Sequence, residues 1–391
     1  MKHADKPRVL VVHNRDFEHS KQDPENGSRA DIRGTCADVT AALARGGLVA
    51  DALGIDEDLP AAMSAITAFA PDVVFNLCES LSGDARFEPL LPMLLERAGL
   101  AYTGSPPLTL GLALHKHKAK AVLQGAGVPT PEAVCLATAE VSGVNLPFPL
   151  IVKPSREDAS VGITSQSVVH DRAELGRQVA AVIARYQQPA LVERYIEGRE
   201  IYVSMLGRPQ GETDGESAGD IELLPLHEID FSEMPAGRPR IVSFAAKWEE
   251  TSAEYRGTKP MPCAALPPDI AARIASVART AFAAMELRDY GRLDVRLAAN
   301  GTPYVIDINP NCDLSESSGG FARAGRAAGI GYDELVRRIV DLAFQRRTHA
   351  VTIPLAARSR AARRHHLAGS GVPLRRDRVR DRAARRGARS V

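Results

Sequence analysis

The sequence predicts a mixed α/β and α+β protein, and three observations carry that expectation. The first eighty residues or so alternate strand and helix, residues 269–284 carry apolar side chains at helical spacing, and residues 290–320 read as a β-hairpin. A chain of 391 residues with 45% hydrophobic and 25% charged residues has room for two or three soluble domains.

The first strand is the apolar run 8–12, followed by a polar stretch to residue 34. A helix fits 35–45, where Ala37, Val39, Ala41, Leu43 and Ala44 supply a small-residue face, and Gly46-Gly47 ends it. A strand over 48–53, a helix over 61–70 and a strand over 72–76 complete a β-α-β-α-β order. That order predicts a parallel sheet with ligand loops at the C-terminal ends of its strands. No GxGxxG follows the first strand and no GxxxxGK[ST] occurs anywhere, which argues against a fingerprinted dinucleotide fold and against a P-loop.

The middle of the chain is rich in candidate anion ligands. Lys116, Lys118 and Lys120 cluster ahead of Gly127-Val-Pro-Thr-Pro131, and 148–154 is a buried strand that carries Lys153 near its end. The following loop, 155–163, has small residues that let backbone N–H groups approach an anion, while lysines supply compact positive charge. Residues 208–219 are Gly-rich and acidic and read as an exposed hairpin loop before a strand at 221–224. Residues 260–268 read as a Pro-rich connection. The helix 269–284 is core packing through Ile270, Ile274, Val277, Ala278 and Ala281.

The hairpin turns at Asn300-Gly301, a dipeptide suited to the positive φ angles of a two-residue turn. With those two residues central, Asp294 faces Asp307 and Arg292 faces Asn309. Leu293, Val295 and Leu297 then share one face with Ile306 and Ile308, and the polar four share the other. Two carboxylates facing each other across about 5 Å repel unless positive charge lies between them. A hard divalent cation such as Mg²⁺ answers that requirement. A solvated hairpin whose acids face water answers it equally well.

A short helix over 332–344 closes the folded body. From Arg358 onward twelve arginines stand against Asp377 and Asp381, a charge of +10, so the remainder carries −9 within the net +1. That tail has few large apolar residues and no helical stripe, and disorder is expected from 348 to 391. It shows no aromatic interleaving, so nucleic-acid binding is not expected. The five cysteines are scattered without metal-site spacing, no apolar run approaches the ~20 residues of a membrane span, and the N-terminus leads straight into a strand. These features predict a cytoplasmic chain, and they leave room for a homo-oligomer.

Several of these stretches occur in the order found in the ATP-grasp ligases similar to D-alanine-D-alanine ligase. Residues 101–105 (AYTGS) resemble that family's YTGS, 115–120 its DK-x-x-x-K, 127–131 its GxPTP, and 148–163 its VKPxxxGSSxGI. Residues 191–200 (LVERYIEGRE) resemble VE-x-x-I-x-G-x-E, 244–248 (FAAKW) resemble EAKY, and the hairpin carries counterparts of GRxDx and ExNxxPG. The resemblance covers about residues 8–345. It implies an ATP-grasp fold with a Rossmann-like N-terminal domain (1–112), a central lid (113–190) and a C-terminal domain (191–347). It further implies an ATP-dependent carboxylate-amine ligase for amino-acid or peptide substrates, working through an acylphosphate. Lys116, Lys153, Ser160 and Lys247 would meet phosphates, Glu193, Tyr195 and Ile196 the adenine, and Glu200 the ribose. Asp294, Asp307 and Asn309 would hold two Mg²⁺, with Mn²⁺ an alternative, and Arg292, Ser318 and Glu18 would be catalytic. A non-catalytic ATP-binding module and a metal-dependent phosphotransferase are the competing readings.

The sequence also departs from the family pattern. Ala159 stands at the first serine of GSS and Trp248 at the tyrosine of the closing loop, two positions that normally share a hydrogen-bonded link. Asp307 replaces a glutamate, and Asn311-Cys312-Asp313 replaces proline-glycine. The reaction is therefore expected to be retained, and strict D-alanine specificity is not.

Overall fold

The computed structural model describes residues 6–15, 32–208 and 221–349. Glu18, the loop 209–220 and the tail from 350 onward lie outside the described residues.

A three-stranded parallel sheet begins the chain. β1 (Arg8–Asn14) is followed by α1 (Ile32–Arg45), β2 (Val49–Ile55), α2 (Leu59–Phe69) and β3 (Val73–Asn76), and the strands lie in the order β2-β1-β3. β1 is central, which explains its unbroken apolar run. Val9 and Val11 pack into a core with Val39 and Leu43 of α1, while Leu10 and Val12 face Ile66 of α2 on the other side. α3 (Leu90–Ala98), α4 (Pro107–Leu114) and α5 (Lys116–Gly125) lead away from this sheet.

A four-stranded antiparallel sheet follows. It comprises β4 (Ala133–Leu136), β5 (Leu150–Pro154), β6 (Val168–Val169) and β7 (Ala190–Arg194) in the order β4-β7-β5-β6. α6 (Arg172–Tyr186) covers one face, burying Leu175, Val179 and Val182 against Leu150, Val152 and Val192. The period of two leaves Ile151, Lys153 and Glu193 on the other face.

The third sheet has six strands, β8 (Arg199–Gly207), β9 (Ile221–Leu223), β10 (His227–Asp230), β11 (Lys259–Pro262), β12 (Asp289–Leu297) and β13 (Pro303–Asn309). The path runs β11-β10-β8-β12-β13, and β9 also pairs with β8. α7 (Phe244–Trp248) and α8 (Ala253–Arg256) precede β11. α9 (Pro268–Ala284) packs Ile274, Ala278 and Phe282 under the sheet. β11 corrects the expected Pro-rich connection: residues 259–262 pair with β10 as an edge strand, a place where a missing backbone donor is tolerated. α10 (Gly320–Ala327) and α11 (Tyr332–His349) end the described chain. α11 runs past the expected residue 344 and packs Leu335, Val336 and Ile339 against the N-terminal sheet's core.

Hairpin β12-β13 reaches the expected register by a different route. Arg292 pairs with Asn309 and Asp294 with Asp307, but beyond Asp294 the partners shift so that Val295 faces Val305 and Leu297 faces Pro303. The turn therefore has three residues. The Gly301 amide donates to the Ala298 carbonyl at 2.9 Å, Gly301 has φ +77°, and the Asn300 side chain accepts from the Thr302 amide at 3.0 Å. A bulge at Ile306 cancels the extra turn residue. It also reverses one expectation. Val305, not Ile306, joins Leu293, Val295 and Ile308 in the core, and Ile306 faces the cavity described below.

β12 starts at Asp289, fully buried with φ +65°. Its carboxylate accepts from the Gly104 amide at 2.8 Å and is clasped by the Arg346 guanidinium of α11. Removing one partner of such a pair strands the other, so Asp289→Ala is expected to lower the unfolding free energy by about 3–5 kcal/mol. Asp289→Asn, which tolerates a left-handed backbone and keeps hydrogen-bonding capacity, should cost less. Urea midpoints of the two variants against wild type test this ordering.

Candidate active site

A cavity of about 740 Å³ lies between the open face of the four-stranded sheet and the polar face of the β12-β13 hairpin. Lys116, Lys153, Ser160, Glu193, Tyr195, Ile196, Glu200 and Lys247 all line it. So do Arg292, Asp294, Asp307, Asn309 and Ser318. Every expected site residue within the described chain is thus gathered at one place; Glu18 is outside the described residues.

The two facing acids have found cations within the protein. Arg292, two residues before Asp294 on the same face of β12, grips it through Nε at 2.7 Å and Nη2 at 3.0 Å. Lys116, at the first turn of α5, places Nζ 2.9 and 3.1 Å from the two oxygens of Asp307 and 2.9 Å from Asp158. Burial disfavours the charge on Lys116, yet the two aspartates more than offset it and hold its pKa above the ordinary lysine value. Burial likewise opposes ionisation of Asp307, and Lys116 and Lys153 outweigh it to hold that carboxyl low.

A second charge cluster sits deeper. The Glu193 carboxylate, 2% exposed, has Lys120 Nζ 2.7 Å from Oε2 and Lys153 Nζ 2.7 Å from Oε1. Burial raises its pKa, but the two lysines lower it further and keep it below the ordinary glutamate range. Both oxygens of this expected adenine ligand are therefore engaged by ammonium groups, and Glu193 fixes where those groups stand. Glu200 pairs with Arg296 at 2.8 Å and accepts from the Tyr202 hydroxyl at 3.3 Å. Burial nonetheless pushes its pKa up, with Arg296 opposing.

The loop after β5 is held from across the cavity. Ala159 and Ser160 both have left-handed backbones, φ +53° and +64°. The Ser160 hydroxyl donates to the Val242 carbonyl at 2.8 Å, and the Trp248 indole N–H donates to the Ala159 carbonyl at 2.9 Å. The two departures from the family pattern thus compensate each other, because the link from the closing segment now ends on a backbone carbonyl and needs no hydroxyl at 159. Lys247 Nζ lies 4.9 Å from the Trp248 ring centre, within cation–π range.

Sequence reasoning did not single out several charged residues of the cavity wall, Asp158, Arg296 and Arg323 among them, nor Lys120, which stands behind the wall on Glu193. Lys120 was in view as part of the lysine cluster, and Arg296 follows from the same period of two that placed Arg292 and Asp294. Asp158 and Arg323 carried no signal that a single sequence could expose.

Among the described residues no group of three or more His, Cys, Asp or Glu side chains gathers as a metal cage. The donors facing the cavity from the hairpin are two carboxylates and the Asn309 amide, whose Nδ2 is turned toward the Arg292 carbonyl at 3.4 Å. Such a sparse all-oxygen set fits a hard cation that takes one or two protein carboxylates and completes its shell with ligand oxygens.

Residues 122–341 match the family model of the D-ala D-ala ligase C-terminus. The chain belongs to the D-alanine-D-alanine ligase family. It is 31% identical over 310 residues to the D-alanine-D-alanine ligase of Chromohalobacter salexigens, covering 78% of this chain and 86% of that one. An uncharacterized protein, y4sG of Sinorhizobium fredii, is 36% identical over 274 residues, 70% and 75% of the two chains. In fold, the chain is similar to a Bacillus anthracis D-alanine-D-alanine ligase solved in complex with ATP, with a TM-score of 0.65 at 20% identity, over 88% of this chain and 99% of that one. The fold is ATP-grasp, and this member of the D-alanine-D-alanine ligase family is an ATP-dependent ligase of the carboxylate-amine class.

Glu193→Gln leaves Lys120 and Lys153 buried without their counter-charge, so it should cost about 3 kcal/mol of stability at neutral pH. The sign with pH follows from the depressed pKa. The wild-type contribution is complete above the ordinary glutamate range and is lost as pH falls through the lowered value. Urea midpoints measured from pH 7 downward should therefore converge for wild type and variant at acid pH.

Proposed function

We propose that the chain joins a carboxylate to the amine of an amino acid or peptide, using ATP and releasing ADP and phosphate. The reading is carried by one observation: the expected nucleotide, metal and catalytic residues that fall within the described chain line a single cavity. In this reaction a carboxylate oxygen attacks the γ-phosphorus of ATP and the bond to the β,γ-bridging oxygen breaks. The amine nitrogen then attacks the acyl carbon, phosphate leaves with the bonding pair, and the nitrogen gives up a proton.

Lys116, Lys153 and Lys247 would offset the charge of the phosphates, with Lys153 held ready by Glu193. Tyr195 and Ile196 would bound the adenine, and Glu200 would accept from the ribose hydroxyls. Arg292 would face the oxyanion of the tetrahedral intermediate; its two bonds to Asp294 orient the guanidinium in advance, where preorganised charge is most effective. Ser318 would contact the substrate beside it. Asp294, Asp307 and Asn309 would hold Mg²⁺, which when bound supplies Lewis-acid charge at the phosphoryl oxygens. On this reading the N-terminal domain spans 1–112, and the lid extends to Arg194 so that β7 stays in its sheet.

Two variants test the assignment. Asp294→Asn should reduce amine-dependent ADP release by roughly a thousandfold or more while the protein stays folded, because the acid would act in phosphoryl transfer rather than in packing. Full activity in that variant would sink the metal assignment. Trp248→Phe removes the indole N–H that holds the Ala159 carbonyl. Loop closure should then weaken, giving a KM for ATP several-fold higher and a lower kcat, read from steady-state ADP release.

A further inference from the structure

A second cavity of about 460 Å³ adjoins the first, and Lys247, Trp248, Arg292, Asn309 and Asp313 line both. It therefore opens at the reacting end of the site proposed above, away from the adenine side. Its volume is far more than the methyl group of alanine fills, and it lies within the range of cavities that hold whole ligands.

Acidic residues outnumber basic ones in its wall, whereas the two balance around the first cavity. Glu88, just before α3, lines this cavity and is 8% exposed. Its Oε1 accepts from the neutral Asn311 Nδ2 at 3.3 Å, and among the described residues no lysine, arginine or histidine pairs with it, while Oε2 has no hydrogen-bond donor. Burial first, and then the negative charges of Asp158 and Glu79, push its pKa well up, with the Asn311 contact opposing. Of the arginines in this wall, Arg86 is bound to Asp84 and Arg292 to Asp294, and Arg156 makes no ion pair with Glu88. The Asn311 contact is built in. The Tyr290 hydroxyl donates to Asn311 Oδ1 at 2.8 Å, so the amide must turn its NH₂ toward Glu88 and the Cys78 carbonyl. A buried carboxyl without a counter-ion is costly, and a ligand that brings the missing positive charge relieves that cost.

We infer that Glu88 is a specificity residue and that the second cavity seats the positively charged side chain of a diamino acid, one of the two amino acids being joined. This rests on the ligase reading for its place in the reaction, but its test does not. Calorimetric titration of the full chain, with Mg²⁺ and a non-hydrolysable ATP analogue present, would compare lysine and ornithine of both chiralities with norleucine and alanine. Norleucine matches lysine in length and lacks the charge. One diamino acid is expected to bind at least about tenfold more tightly than norleucine, and Glu88→Gln, which is isosteric and can still accept from Asn311, should abolish that preference. Equal binding of lysine, ornithine and norleucine, or a preference that survives Glu88→Gln, would overturn the proposal. A diamino acid that binds through Glu88 yet yields no amide product with ATP would overturn the ligase reading and leave the subsite standing.

Discussion

Asp294 and Asp307 sit directly opposite each other on paired strands, and like charges at that spacing must be separated by positive charge. Arg292 comes from the same strand and Lys116 from the start of α5, so the requirement ties the hairpin to an element far away in sequence. Lys116 also holds Asp158, and through it the loop after β5. Three segments that meet at the cavity are therefore joined by one electrostatic condition. Under the proposed reaction, a divalent cation taking the two carboxylates would meet the same condition from the ligand side and leave Lys116 and Arg292 able to turn toward anionic oxygens. On that proposal the acids and their protein cations would be arranged for exchange, which a purely structural ion pair does not need.

The Lys120-Glu193-Lys153 cluster differs in kind. It is almost wholly buried and carries one more positive than negative charge. Buried ion pairs contribute little net stability over apolar packing, because desolvation offsets the attraction. Its value lies in position. Glu193 faces the cavity because β7 alternates, its neighbour Val192 turning the other way into the core, and the two lysines arrive from α5 and β5. An excess positive charge fixed beside a cavity suits a polyanion such as a nucleotide's phosphates.

Much of this was legible in the sequence, and the reasons differ by element. The N-terminal sheet was readable because a central parallel strand leaves a continuous apolar run, seen in Val9 to Val12. The pairing of Asp294 with Asp307 was predicted on a two-residue turn that does not exist. It holds because the third turn residue and the bulge at Ile306 shift the register by equal and opposite amounts. The side assigned to Ile306 had no such protection, since one residue of slip moves a side chain to the other face. β11 was hidden because Pro260 and Pro262 read as loop residues, and only the neighbour β10 makes them an edge strand. Asp289 and Arg346 were invisible for a different reason: their bond joins elements 57 residues apart, and no local pattern encodes it.

The same contrast separates the two halves of the site. On the nucleotide side the departures from the family pattern cancel. Ala159 loses a hydroxyl, Trp248 brings an N–H, and the bond between the two segments re-forms on a backbone carbonyl that any residue at 159 would present. On the other side nothing cancels. Asn311 is locked by Tyr290 into offering its amide hydrogens to Glu88, Asp313 stands where the family has glycine, and the acids outnumber the cations available to them. Uncompensated charge in a protein interior is unfavourable unless a ligand supplies its partner. Under the proposed function, a fold that preserves its charge balance where the phosphates would lie and leaves it open where the amino acids would lie would keep its reaction and differ in what it joins.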